Sequence, residues 1–107
     1  MNIETNNNIQ STIAQTALMH VIDPEIGLNV VDLGLIYAIQ FDEEKNLVHV
    51  LMTLTTQFCP MGESITSNVE EAVRNCFPGQ EVLVELTFDP PWSAERISEE
   101  GQEFLNQ

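Results

Sequence analysis

Positive charge is almost missing from this sequence: Lys45, Arg74 and Arg96 face 17 acidic residues, for a net charge of −14. Holding a phosphate backbone requires Lys and Arg to displace its counterions, so nucleic acid is not an expected partner, and neither is an anionic membrane surface. The excess acid suits basic protein partners or cations, but it equally serves only to keep a chain dissolved. Cysteine is scarce too. Cys59 and Cys76 are too few for a disulfide framework, and a reducing compartment keeps them as thiols. No apolar run approaches the roughly 20 residues of a membrane span. The segment MNIETNNNIQ lacks the positive region and apolar core of a secretory signal, so the expected location is the cytoplasm. Also missing are a Ser/His/Asp order, a glycine-rich phosphate loop and paired zinc-ligand spacing.

What remains is the material of one small domain. The apolar share of 43% is ordinary for a folded chain, and 107 residues leave room for a single core. Residues 1–8 are polar and Asn-rich, which reads as a flexible N-terminal tail before a domain over 9–107. Ile9, Ile13, Ala17 and Val21 recur every fourth position and predict one buried face of a helix that stops near Ile22, ahead of Pro24. Residues 23–34, with Asp23, Pro24, Glu25, Gly27, Asn29, Asp32 and Gly34, have a loop composition. Leu35, Tyr37, Ile39 and Phe41 alternate along one face of a strand, and Val48, Val50, Met52 and Leu54 along a second. The polar turn 42–46 between them fits an antiparallel hairpin. Ile65, Val69, Ala72, Val73 and Cys76 mark a second helix closed by Pro78 and Gly79. Val82, Val84, Leu86 and Phe88 mark a third strand, and Ser98 is placed to cap a short last helix ending at Phe104 and Leu105. The order α-β-β-α-β-α predicts a two-layer α/β (α+β) domain, a small mixed sheet covered by helices.

Cys59 is the candidate reactive group. It lies where a strand gives way to a helix, with Pro60 suited to the first helical position. Backbone N–H groups and the helix dipole at such a place favour thiolate, the form that binds metal or attacks an electrophile. The plainer alternative is a small buried apolar residue. Cys76, on the apolar stripe of the second helix, reads as a core thiol. Asp23, Glu25 and Asp32 are able to bind a hard cation or to cap turns, and capping is the default for such loops. Thr55 and Thr56 either satisfy the backbone at a strand end or line a pocket beside Cys59. His20 and His49 have no partner at ligand spacing, and Trp92 after Pro90 and Pro91 is either a core plug or a recognition surface.

Three separated motifs add a further pointer. Asp23-Pro24-Glu25 with Asp32-Leu33-Gly34, then Thr53-Leu54-Thr55-Thr56 leading to Cys59-Pro60, then Pro90-Pro91-Trp92 resemble the SufT/PaaD-type family of iron–sulfur cluster assembly factors over about residues 9–105. The resemblance implies a compact fold like that of cluster assembly scaffold domains, and an accessory, non-catalytic role in maturing iron–sulfur proteins. It places the family's cysteine on Cys59, its acidic motif on Asp23 and Glu25, and its aromatic motif on Pro91 and Trp92. The implied cargo is iron or an iron–sulfur cluster, held transiently, and the implied partners are assembly proteins and client apoproteins. Clusters are usually held by four protein ligands. One thiolate therefore requires a second subunit in a homodimer, a client that supplies the rest, or a docking role without any cluster. Asp23 or Glu25 would supplement Cys59 only weakly at a single iron, because the ligation mixes soft and hard donors. An alternative is a non-metal adaptor for a multicomponent oxygenase, as in the phenylacetate branch, whose extra cysteine-rich segment is not matched in residues 93–107. A thiol enzyme or redox sensor is the third possibility, with no base beside Cys59 in sequence.

Overall fold

In the computed structural model, which describes residues 3–56 and 62–106, the alternating stretches of the sequence assemble into one mixed sheet. The elements run β1 (Glu4–Thr5), α1 (Asn8–Leu18), β2 (Ile36–Asp42), β3 (Leu47–Met52), α2 (Gly62–Cys76), β4 (Glu81–Leu86), a 3-10 turn at Ala94–Arg96, and α3 (Glu99–Leu105). The spatial order is β1-β2-β3-β4, with β2 and β3 antiparallel and both edge strands parallel to their neighbours. The parallel step from β3 to β4 requires a crossover, and α2 supplies it. The α+β class expected from the sequence is the one observed.

Inward alternation builds the core. Ile39 faces Val50 and Phe41 faces Val48 across β2 and β3. Against them pack Ile65, Val69 and Val73 of α2, Ala14 and Leu18 of α1, and Phe77, whose ring meets Phe41 edge-on at 5.4 Å. Phase along β2 departs from the simple reading. A bulge between Ile36 and Ala38 shifts the register, so Ile36 opposite Met52 takes the inward place expected of Tyr37. Tyr37 is only half-buried, and its hydroxyl donates to the Pro90 carbonyl at 2.9 Å.

Three expectations at the N-terminal end need correction. Residues 1–8 are not simply a tail, because Glu4–Thr5 pairs with Ala38 and Ile39. The Asn6 amide then continues that pairing, donating to the Phe41 carbonyl at 2.8 Å and accepting from its N–H at 2.9 Å. The first helix starts one residue early, with Asn7 capping Gln10 N at 3.0 Å, and ends at Leu18 rather than Ile22. It ends there because residues 21 and 22 are drawn into extended pairing: Val30 N donates to the Val21 carbonyl, and Ile22 bridges Asn29. The buried face of α1 is Ser11, Ala14 and Leu18, while Ile9 and Ile13 are exposed. At 100° per residue the buried trio spans roughly 60°, and Ile9 and Ile13 lie on the opposite side of the helix.

Candidate functional site

Two of the three sequence motifs meet in the fold, and they meet through backbone as much as through side chains. Residues 23–28 close on themselves as a turn. The Asp23 carboxylate, 2% exposed, accepts from Glu25 N at 2.9 Å, and the Asp23 carbonyl accepts from Gly27 N at 2.7 Å. Asp23 is thus the turn-former of its loop. Glu25 is exposed on the outside of that turn.

Asp32 has a longer reach. One carboxylate oxygen accepts from Asn29 Nδ2 at 2.7 Å and the other from Ser98 Oγ at 2.8 Å, while the Asp32 carbonyl accepts from Ser98 N at 2.8 Å. Ser98 is also the N-cap of α3, its Oγ accepting from Gly101 N at 3.0 Å. One residue on, the Leu33 carbonyl accepts from Trp92 Nε1 at 2.6 Å. Next, Gly34 adopts φ +77° against Arg96. The Arg96 guanidinium stacks over Tyr37, 4.2 Å from the ring centre. Asp32-Leu33-Gly34 is therefore a clasp closed by Trp92, Arg96 and Ser98. Of the two readings offered for Trp92 the packed one describes its contacts: the ring is partly buried against the core and the indole N–H tethers it to Leu33. Pro91 beside it is exposed.

Sequence reasoning found Asp32, Trp92 and Ser98 separately but not their connection. Asp32 and Ser98 stand 66 positions apart, and no local spacing announces such a pair. Asn29 and the Tyr37–Arg96 stack were likewise missed.

The third motif is only partly in view. Thr53 is buried and its N–H donates to the Leu35 carbonyl at 2.8 Å, which extends the hairpin. Thr55 is half-buried and Thr56 exposed. Cys59 and Pro60 lie outside the described residues. The supplementing of Cys59 by Asp23 or Glu25 at an iron therefore also falls outside the described residues. Helix α2 begins with Gly62, buried against Leu54.

Cys76 takes the core place expected of it only in part, packing against the rim of the core. It is half-buried at the seam between α1 and α2, its Sγ 4.0 Å from the Ile13 carbonyl. Replacing it by Asp should lower stability by about 1–2 kcal/mol, measured by urea unfolding, because a charge there is partly desolvated. A loss above that range would mean that the thiol is a full core residue after all.

The two histidines are accounted for. His20 is exposed, and His49 Nε2 lies 2.9 Å from a Glu85 carboxylate oxygen on the open face of the sheet. Among the described residues no three His, Cys, Asp or Glu side chains converge as a metal site, and no buried polar side-chain atom lacks a partner. No described helix is long and apolar enough to cross a membrane.

A mixed four-stranded sheet with α1 and α2 on one face, and a C-terminal segment clasped to an acidic loop, defines a small α+β domain. The sequence profile described as "Iron-sulfur cluster assembly protein" matches residues 13–86. The Fe-S protein maturation auxiliary factor YitW of Bacillus subtilis (strain 168) is 37% identical over 82 residues, covering 77% of this chain and 79% of the relative. The Fe-S protein maturation auxiliary factor SufT of Staphylococcus aureus (strain USA300) is 38% identical over 78 residues, covering 73% and 88%. Among solved structures, a domain of unknown function DUF59 from Bacillus anthracis superposes with a TM-score of 0.85 at 35% identity, covering 92% of this chain and 93% of that one. The chain belongs to the iron–sulfur cluster assembly protein family, with the SufT-type factors among its relatives.

Proposed function

We propose that this chain is a non-catalytic accessory factor in iron–sulfur protein maturation, acting in the cytoplasm, with Cys59 as the residue that touches the iron or cluster. The observation that carries the reading is the family match over residues 13–86, a span that contains Cys59. The relatives named as Fe-S protein maturation auxiliary factors support it. Chemistry then limits the mechanism. With two cysteines in the whole sequence, and Cys76 at a helix seam, one chain cannot furnish the four thiolates of a conventional cluster. The cluster is therefore cargo. Cys59 contributes one thiolate, and a second chain, an assembly protein or the client contributes the others. Transfer is thiolate exchange at iron: each client thiolate that binds displaces one donor thiolate, with no net change of oxidation state. An incomplete ligand set suits release better than storage.

Asp23 and Asp32 act in this scheme by holding the loop and the C-terminal segment in place. Glu25, Thr55, Thr56 and Pro91 are exposed or half-buried positions from which a partner is met. Anaerobic reconstitution with iron and sulfide tests the reading, with wild type compared against Cys59→Ser. Wild type should acquire thiolate–iron absorbance and activate an apo-client, while Cys59→Ser should lose at least ~90% of both, as expected when the sole thiolate donor is removed. Its urea midpoint should stay unchanged. Equal reconstitution and client activation by the two proteins would reject Cys59 as the site and favour an adaptor without metal.

A further inference from the structure

The solvent-facing side of α1 is itself informative. Acids are spread through this chain, yet residues 5–22 contain no Asp, Glu, Lys or Arg. That stretch runs from the end of β1 through the surface helix α1 to the paired residues 21 and 22, with no acidic residue in the first turn of the helix and no basic one in the last. Along it Ile9 is 78% exposed, Ile13 48%, Met19 47% and Ile22 46%. Ser11 and Ala14 go inward with Leu18, while the large β-branched Ile9 and Ile13 go outward, so α1 carries apolar bulk on its solvent side as well as on its core side. Nothing in the core requires Ile9 or Ile13. Exposed isoleucines repeated at i and i+4 on an uncharged helix make a stripe that gains by being covered.

We infer that this outward stripe of α1 is a self-association surface, covered by α1 of a second copy across a two-fold axis. The charge distribution selects the occupant. Two chains of net charge −14 repel wherever their acidic surfaces face each other, and the charge-free α1 face is where that cost is least. A basic partner has the opposite preference: it gains at acidic surfaces and gains nothing here. A two-fold contact also lets one stripe serve both sides, Ile9 and Ile13 of one copy against the same residues of the other. A helix of 11 residues is about 16 Å long, so the contact falls well short of the roughly 800 Å² per partner of a standard interface. The dimer is accordingly weak and concentration-dependent. This inference stands apart from the role given to Cys59.

Salt provides the diagnostic. An apolar contact opposed by long-range repulsion tightens as salt screens the charge, whereas an ion-paired contact loosens. Sedimentation equilibrium of the full chain at ~50 mM and ~500 mM NaCl should show a dimer whose dissociation constant falls on the order of tenfold at the higher salt. The double substitution Ile9→Gln and Ile13→Gln should raise that constant at least ~10-fold at either salt, since two exposed apolar side chains leave the contact. Because both side chains are exposed, its urea midpoint should match wild type. Three results would overturn the proposal: a monomer at every concentration and salt, a dimer that weakens with salt, or a dimer indifferent to the double substitution.

Discussion

Gly34→Ala is expected to cost about 3–5 kcal/mol, whereas Gly27→Ala is expected to cost about 1–2 kcal/mol. Both glycines hold positive φ, +77° and +84°, so both substitutions incur the left-handed strain of roughly 1–2 kcal/mol. Space is what separates them. A Cβ at Gly27 meets nothing, whereas a Cβ at Gly34 meets the Arg96 carbonyl oxygen and lies 2.6 Å from Arg96 Cβ. The obstacle is partly backbone, so no rotamer change relieves it, and overpacking of this kind adds about 1–3 kcal/mol. A domain of this size has roughly 5–15 kcal/mol in total, so the loss is a large share. Relief is available only by moving residues 92–98 away from the loop. Urea unfolding should give the energetic difference, and hydrogen exchange should show faster exchange at Trp92 Nε1 and Ser98 N in Gly34→Ala alone. Equal destabilisation by the two substitutions would remove the steric part of the argument, and with it the claim that Gly34 exists to admit the C-terminal segment.

The sequence announced the elements that depend on period and hid those that depend on distance. Val48, Val50 and Met52 alternate as a strand must, and Ile65, Val69 and Val73 recur as a buried helix must; all six are buried. β1 carries no such signal, since two residues have no period and the next partner of β2 is an Asn side chain. The buried face of α1 is not legible in its periodicity, because buried residues are mostly apolar while large apolar residues are not always buried. Ser11 and Ala14 are small enough to let α1 pack closely, and their burial leaves the isoleucines outside. For the candidate site the pattern is the same. Asp23 was legible as a turn-former from the two residues that follow it, but the partner of Asp32 lies in another element and only the fold reveals it.

Asp32→Ala should destabilise the protein by about 2–3 kcal/mol and loosen the C-terminal segment while leaving the sheet intact. The carboxylate accepts from Asn29 Nδ2 and from Ser98 Oγ, and hydrogen bonds to a charged acceptor are worth roughly 1.5–3 kcal/mol. Removal also strands the Asn29 amide, whose residue is buried. Loss of Ser98 is a different matter, because Ser→Ala at a helix cap costs about 1 kcal/mol on its own account. A double-mutant cycle separates the two contributions. If the Asp32–Ser98 bond carries the clasp, the double variant should cost less than the sum of the singles by roughly 0.5–3 kcal/mol. Ser98→Ala should fray α3 in hydrogen exchange, while Asp32→Ala should also expose the Trp92 indole, read as a red shift in fluorescence. That shift links the two halves of the clasp, since Trp92 Nε1 is held by the carbonyl of the very next residue, Leu33. Additive energies together with an unshifted Trp92 emission would mean that Trp92 and Ser98 are held independently, and that the acidic loop and the aromatic segment do not act as one unit.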